Sequence, residues 1–173
     1  MGRYLNSSTP YALYQGEANQ PYFVDKSLLL TELFPVLDAG NQHVCITRPR
    51  RFGKTVMANM VSAFFSHGVD STEIFSKLKI AESTGYKKHL NTYDVIRIDF
   101  SRMPRNCNSY DQYIERIERI LIQDLMEAYP KADIQEEDAV WDSLDLVYAR
   151  FLKNTGKPLL SRSGLKEWQH QWN

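Results

Sequence analysis

Arg48, Arg50, Arg51 and Lys54 place four cations within seven residues of a chain whose formal net charge is zero. They sit in the run Thr47-Arg48-Pro49-Arg50-Arg51-Phe52-Gly53-Lys54-Thr55, ahead of a segment with helical periodicity. A helix N-terminus offers unpaired backbone N–H groups and the positive end of a dipole, so it can hold phosphate oxygens. Gly53 lets the backbone pass close to a phosphate with no side chain in the way. Lys54 would reach the β- and γ-phosphates as a point charge, and the Thr55 hydroxyl would face Mg²⁺. The full phosphate-loop pattern, G-x-x-x-x-G-K-[ST], has a first glycine where this chain has Arg48. The alternative is a basic, solvated turn in which Gly-Lys-Thr is accidental.

The elements around this run must position it. His43 to Thr47 is a compact apolar run that predicts a strand, and Pro49 forces a turn after it. Beyond Lys54, Val56, Met57, Met60, Val61, Phe64 and Phe65 recur at helical spacing, with Gly68 as the stop. Ile96, Ile98 and Phe100 alternate with Val95, Arg97 and Asp99, which predicts another strand over Asp94–Ser101. Tyr22–Val24 predicts a short strand, and Ser27–Leu37 a short helix that stops near Pro35. Two amphipathic helices follow. The first carries Tyr110, Tyr113, Ile114, Ile117, Leu121 and Leu125 on one face; the second carries Val140, Trp141, Leu144, Val147, Tyr148, Phe151 and Leu152. Residues 1 to about 21, rich in Ser, Asn, Gln, Tyr and Pro, read as an irregular arm, and Ser161–Asn173 as a polar tail.

Ile46–Thr55 resembles the signature of the bacterial and archaeal AAA-ATPase-like P-loop family, whose phosphate loop reads R-P-R-R-F-G-K-[ST]. Tyr22-Phe23-Val24-Asp25-Lys26-Ser27 is similar to that family's Y-[FV]-V-D-K-[ST] segment. Phe64-Phe65 and Ile74–Ile80 match its downstream stretch, and Val95–Ser101 its second core strand. The resemblance covers about residues 1 to 155, and a replaced first glycine is normal in it. It implies that Pro49, Arg50, Arg51 and Phe52 form the loop, and that Gly53, Lys54 and Thr55 contact ATP and Mg²⁺. Lys54 would then be the catalytic cation, stabilising charge as water attacks the γ-phosphate, with Thr55 on the metal. Full-length members often add a C-terminal nuclease-like domain.

The family's acidic strand, which supplies the carboxylate for hydrolysis, would follow the second amphipathic helix. Here Gly156–Arg162 holds no acid, and the next is Glu167. Asp99 is a candidate substitute, although Arg97 interrupts its apolar run. Asp25 and Lys26 read either as neighbours of the nucleotide site or as a surface ion pair or helix-start charges.

At 173 residues, 43% hydrophobic and 24% charged, the chain is an ordinary globular protein. Its balanced charge excludes a polybasic protein, although Asn108–Leu152 holds 4 basic and 11 acidic side chains. No apolar run approaches a membrane span. Two cysteines, Cys45 and Cys107, are too few for a disulfide framework, which predicts reduced thiols in the cytoplasm. The four histidines show no paired metal-binding spacing.

These readings predict an α/β, P-loop NTPase-like fold with an incomplete parallel sheet flanked by helices. They divide the chain into an arm over 1–32, a partial ATPase-like domain over 33–160 and a tail over 161–173. The shortage of strands predicts the N-terminal part of a longer ATPase, with self-association or a protein partner covering the sheet. The predicted function is Mg-ATP binding, without the second acidic motif that hydrolysis requires. The alternatives are an interaction or nucleic-acid-binding module using Arg48, Arg50, Arg51 and Lys54, with extended nucleic-acid binding disfavoured by the neutral chain, or an inactive remnant.

Overall fold

The computed structural model describes residues 2–39, 44–47, 49, 53–100 and 104–152. The described residues form helices α1 (Thr9–Ala18), α2 (Leu29–Asp38), α3 (Lys54–Phe65), α4 (Thr72–Phe75), α5 (Tyr86–His89), α6 (Tyr110–Ala128) and α7 (Val140–Val147). A 3-10 turn spans Lys79–Glu82, and a π-helical turn, Tyr148–Leu152, extends α7.

The expected α/β fold with a parallel sheet is not what these residues build. Among them there is no strand, and β-type pairing is confined to two isolated bridges, Leu5 with Ile96 and Ser66 with Tyr93. Tyr22–Val24 and Val44–Thr47 are irregular, and so is Asp94–Asp99 apart from the bridge at Ile96. A strand exists only when a neighbour completes its ladder of hydrogen bonds. Val44 and Ile46 are exposed and gain no such ladder. In Val95–Phe100 burial does not follow the alternation: Val95 to Ile98 are all half-buried, Ile98 and Phe100 packing on a cluster of Cys107, Tyr113 and Ile117, and Val95 on a cluster that includes Phe65 and Tyr93.

The chain divides into two compact units. The first comprises residues 8–95 among those described, from α1 through α5. Its core is aromatic: Phe34 of α2, Phe64 and Phe65 of α3, Phe75 of α4, Tyr86 and His89 of α5, and Tyr93. Helix α3 supplies its centre because Met57, Met60, Phe64 and Phe65 are all buried, as their spacing predicts. Asn59, Ser62 and Ala63 are buried too, so the helix is covered on more than one face. It ends at Ser66, before Gly68, where the chain turns extended.

Two helices depart from expectation. The supposedly irregular arm contains α1, which opens on Ser8 with Pro10 in its first turn, a position where proline's missing N–H costs nothing. It packs on α3 through Tyr14, whose ring stacks on Phe75 at 5.4 Å. Helix α2 runs through Pro35 to Asp38, and the Ala39 N–H donates to the Pro35 carbonyl at 3.0 Å. Pro35 is exposed, so its ring faces solvent while Leu30 and Phe34 hold the opposite face in the core.

His89 lies inside this core, 1% exposed, stacked against Phe34 at 4.3 Å and bonded through Nδ1 to the Tyr93 hydroxyl at 2.5 Å. Burial holds its imidazole below the ordinary histidine range; Asp38, 3.6 Å from Nε2, opposes this and the Lys88 charge reinforces it. The folded state therefore disfavours the proton more than the unfolded chain does. Stability contributed by neutral His89 is present above the unfolded pKa, about 6.5, and falls as pH drops through it, levelling off below the lower folded value. We expect the urea midpoint of the wild type to fall between pH 7.5 and 5.5 more steeply than that of His89→Gln. Equal slopes would remove His89 as a source of the acid sensitivity.

The second unit comprises residues 2–7 and 96–152 among those described. Helix α6 is opened by Ser109, whose hydroxyl accepts the Gln112 N–H at 3.2 Å, while the Gln112 side chain accepts the Asn108 N–H at 2.9 Å. It buries Tyr113, Ile117, Leu121, Ile122 and Leu125 and packs on α7, which buries Val140, Leu144 and Val147. Tyr110, expected on the buried face, is 51% exposed. No helix among the described residues is long and apolar enough to cross a membrane.

Candidate functional site

The site begins at Gly53. Its φ of 77° and ψ of 25° are left-handed, a conformation an L side chain adopts only at a cost of about 1–2 kcal/mol. A Cβ there would meet nothing within 4 Å, so this glycine is required by backbone geometry and not by crowding. The turn redirects the chain into α3, whose first hydrogen bond runs from the Met57 N–H to the Gly53 carbonyl at 2.9 Å. Among the described residues no side chain caps this N-terminus, and the first turn carries no acid. Lys54 and Thr55, in that turn, are both exposed.

A cavity of about 230 Å³ opens beside Gly53. Helix α3 contributes Val56, Met57 and Met60 to its wall. Helix α1 contributes Tyr14 and Glu17, and the strap that follows contributes Gln20, Pro21, Tyr22, Phe23, Val24 and Lys26. The cavity is mainly apolar, with the Lys26 cation and the Glu17 carboxylate as its charged members. Tyr14 is 1% exposed, and its hydroxyl has no hydrogen-bond partner among the described residues. Burial, with the Asp25 charge as a second cause, pushes its phenol well above the ordinary tyrosine range, so the group keeps its proton.

The strap is held from behind. The Asp25 carboxylate accepts the Ser27 N–H and the Lys79 N–H, each at 2.8 Å. The buried Ser27 hydroxyl accepts the Ile80 N–H at 3.1 Å. Burial alone would raise the Asp25 carboxyl, but these donors hold it below the usual carboxylate range. The Y-F-V-D-K-S and I-F-S-K-L-K-I segments thus meet: Asp25 and Ser27 fasten the strap to Lys79 and Ile80. Lys26, between them, lies on the cavity side.

Of the residues predicted to bind nucleotide, Gly53, Lys54 and Thr55 lie together at the start of α3, and Pro49 is exposed ahead of them. Arg48, Arg50, Arg51 and Phe52 fall outside the described residues, and with them most of the basic cluster. Asp99 is exposed and belongs to the other unit; its backbone carbonyl accepts the Tyr113 hydroxyl at 2.8 Å. No group of three or more potential metal ligands occurs among the described residues.

Sequence reasoning missed Tyr14, Glu17 and Gln20, because it left their segment without a helix. The available signal was Ser8-Thr9-Pro10, which resembles a helix start.

A family model described as AAA-ATPase_like, "Predicted AAA-ATPase", matches residues 16–160. No curated protein and no solved structure matches the chain.

Proposed function

The chain belongs to this predicted AAA-ATPase-like family, and from that premise we propose that it binds a nucleoside triphosphate with Mg²⁺ at the loop entering α3. The observation that carries the reading is the left-handed Gly53 opening α3, with exposed Lys54 and Thr55 in an acid-free first turn. Backbone N–H groups of a first helical turn have no intrahelical acceptor and are suited to phosphate oxygens. In this reading Lys54 supplies a cation to the β- and γ-phosphates; Arg50, Arg51 and Phe52, which the family resemblance adds to the site, lie outside the described residues. The Thr55 hydroxyl would hold Mg²⁺, which when bound neutralises phosphate charge. ATP is the nucleotide that the family description supports.

Hydrolysis is a separate step, since it also requires a carboxylate to hold the metal's water shell and a group to orient the attacking water. The reading is therefore one of binding, with Lys54 as the residue that would stabilise transition-state charge where those groups are supplied.

The test is the thermal midpoint with and without Mg-ATP, in wild type and Lys54→Ala. Ligand at about 100 times its dissociation constant adds about 2.7 kcal/mol to stability, worth several degrees in a chain of this size. We expect a shift in the wild type that is lost in the variant. A wild type that melts cooperatively with no shift would refute nucleotide binding.

A further inference from the structure

The cavity beside Gly53 has walls of a different chemistry from the phosphate loop. We infer that it seats the nucleobase of the bound nucleotide, with Tyr22 as a stacking surface. This rests on the nucleotide-binding reading and adds what distinguishes a nucleotide from a bare polyphosphate.

Two observations carry it. The first is chemical: Tyr22, Phe23, Val24, Met57 and Met60 make an aromatic and thioether lining, which suits a flat, weakly polar ring and offers nothing to a phosphate. The second is size. At about 230 Å³ the cavity is smaller than the roughly 300–1,000 Å³ of pockets that enclose drug-sized molecules. It fits one ring system, leaving sugar and phosphates outside. Gly53 lies on its wall, so a base within would direct its phosphates toward α3, with Lys26 on the same rim.

Titration calorimetry on the full chain separates the two parts of the site, using Mg-ATP, Mg-tripolyphosphate and adenosine as probes. Base–aromatic stacking is worth enough that ATP should bind about tenfold or more tightly than tripolyphosphate. Tyr22→Ala should cost about tenfold in ATP affinity and leave tripolyphosphate unchanged; Tyr22 is 94% exposed, so the fold does not depend on it. Equal affinity for ATP and tripolyphosphate, or equal losses for both in Tyr22→Ala, would overturn the base seat while leaving the phosphate loop intact. If Lys54→Ala leaves ATP affinity unchanged while adenosine still binds and Tyr22→Ala abolishes it, the loop reading fails and the base seat stands. Failure of all three probes to bind the wild type would overturn both.

Discussion

Asp124→Ala is expected to lower stability by about 3–4 kcal/mol, because one buried carboxylate organises the start of the chain. Its Oδ1 accepts the Arg3 N–H at 2.9 Å, and its Oδ2 accepts the N–H groups of Tyr4 and Leu5 at 2.6 and 3.0 Å. Three successive backbone donors thus converge on one side chain of α6, and hydrogen bonds to a charged group are about 1.5–3 kcal/mol each before non-additivity. The arm fits closely: a Cβ on Gly2 would come within 2.6 Å of the Asp124 Cγ and of the Leu5 carbonyl. Leu5 then buries beside its bridge to Ile96, and the Arg97 N–H donates to the Tyr4 carbonyl at 3.0 Å. Alanine leaves those N–H groups without an acceptor where water has little access. Asparagine keeps the shape but can accept with only one oxygen, so Asp124→Asn should cost less, about 1–2 kcal/mol. Chemical denaturation of the two variants checks the order. A cost below about 1 kcal/mol for alanine would mean that the arm is not anchored in this way.

Asp124 also shows what sequence pattern conceals. On α6 it falls between Leu121, Ile122 and Leu125, all buried, and an acid on an apolar face demands a partner. That demand was legible, but its answer, three N–H groups more than a hundred residues away, was not. Helices α3, α6 and α7 could be read because their signal is local, one apolar face repeating every three or four residues. Helix α1 offered only the start signal of Ser8-Thr9-Pro10, since Tyr14 and Pro10 are its only buried side chains and no stripe marks it. The expected strands failed for the complementary reason. Val95–Phe100 alternates in residue type, but Val95 and Arg97 are half-buried just as Ile96 and Ile98 are, and pairing depends on a neighbour that local pattern does not specify. At the site, Gly53-Lys54-Thr55 was legible from the order of residue types. The cavity beside it was not, because α1, the strap and α3 come together only in the fold.

Phe64→Ala is expected to have the largest effect on the unit that carries the candidate site, about 3–5 kcal/mol. Phe64 is fully buried on α3, and its ring meets Phe65 and Phe75 edge-on, each at 5.1 Å, Phe34 at 5.9 Å and Tyr86 at 6.0 Å. Apart from Phe65, the next residue of α3, these neighbours come from three other helices: α2, α4 and α5 all lean on this one side chain. The void cannot readily collapse, because Phe34 is already pressed against Gly85, where an added Cβ would lie 2.4 Å from its ring. Against a typical total of about 5–15 kcal/mol, such a loss approaches the whole margin of a modest domain. Phe64→Leu retains much of the volume and should cost about 1–2 kcal/mol. Because Phe64 is not part of the cavity wall, Phe64→Leu should bind Mg-ATP with wild-type affinity below its melting range, whereas Lys54→Ala should melt like the wild type and fail to bind. That crossed pattern, read by calorimetry on both variants, separates the core that orients α3 from the residues at its N-terminus that would meet the ligand. Loss of binding in a folded Phe64→Leu protein would instead show that the loop depends on the packing of the aromatic core beneath it.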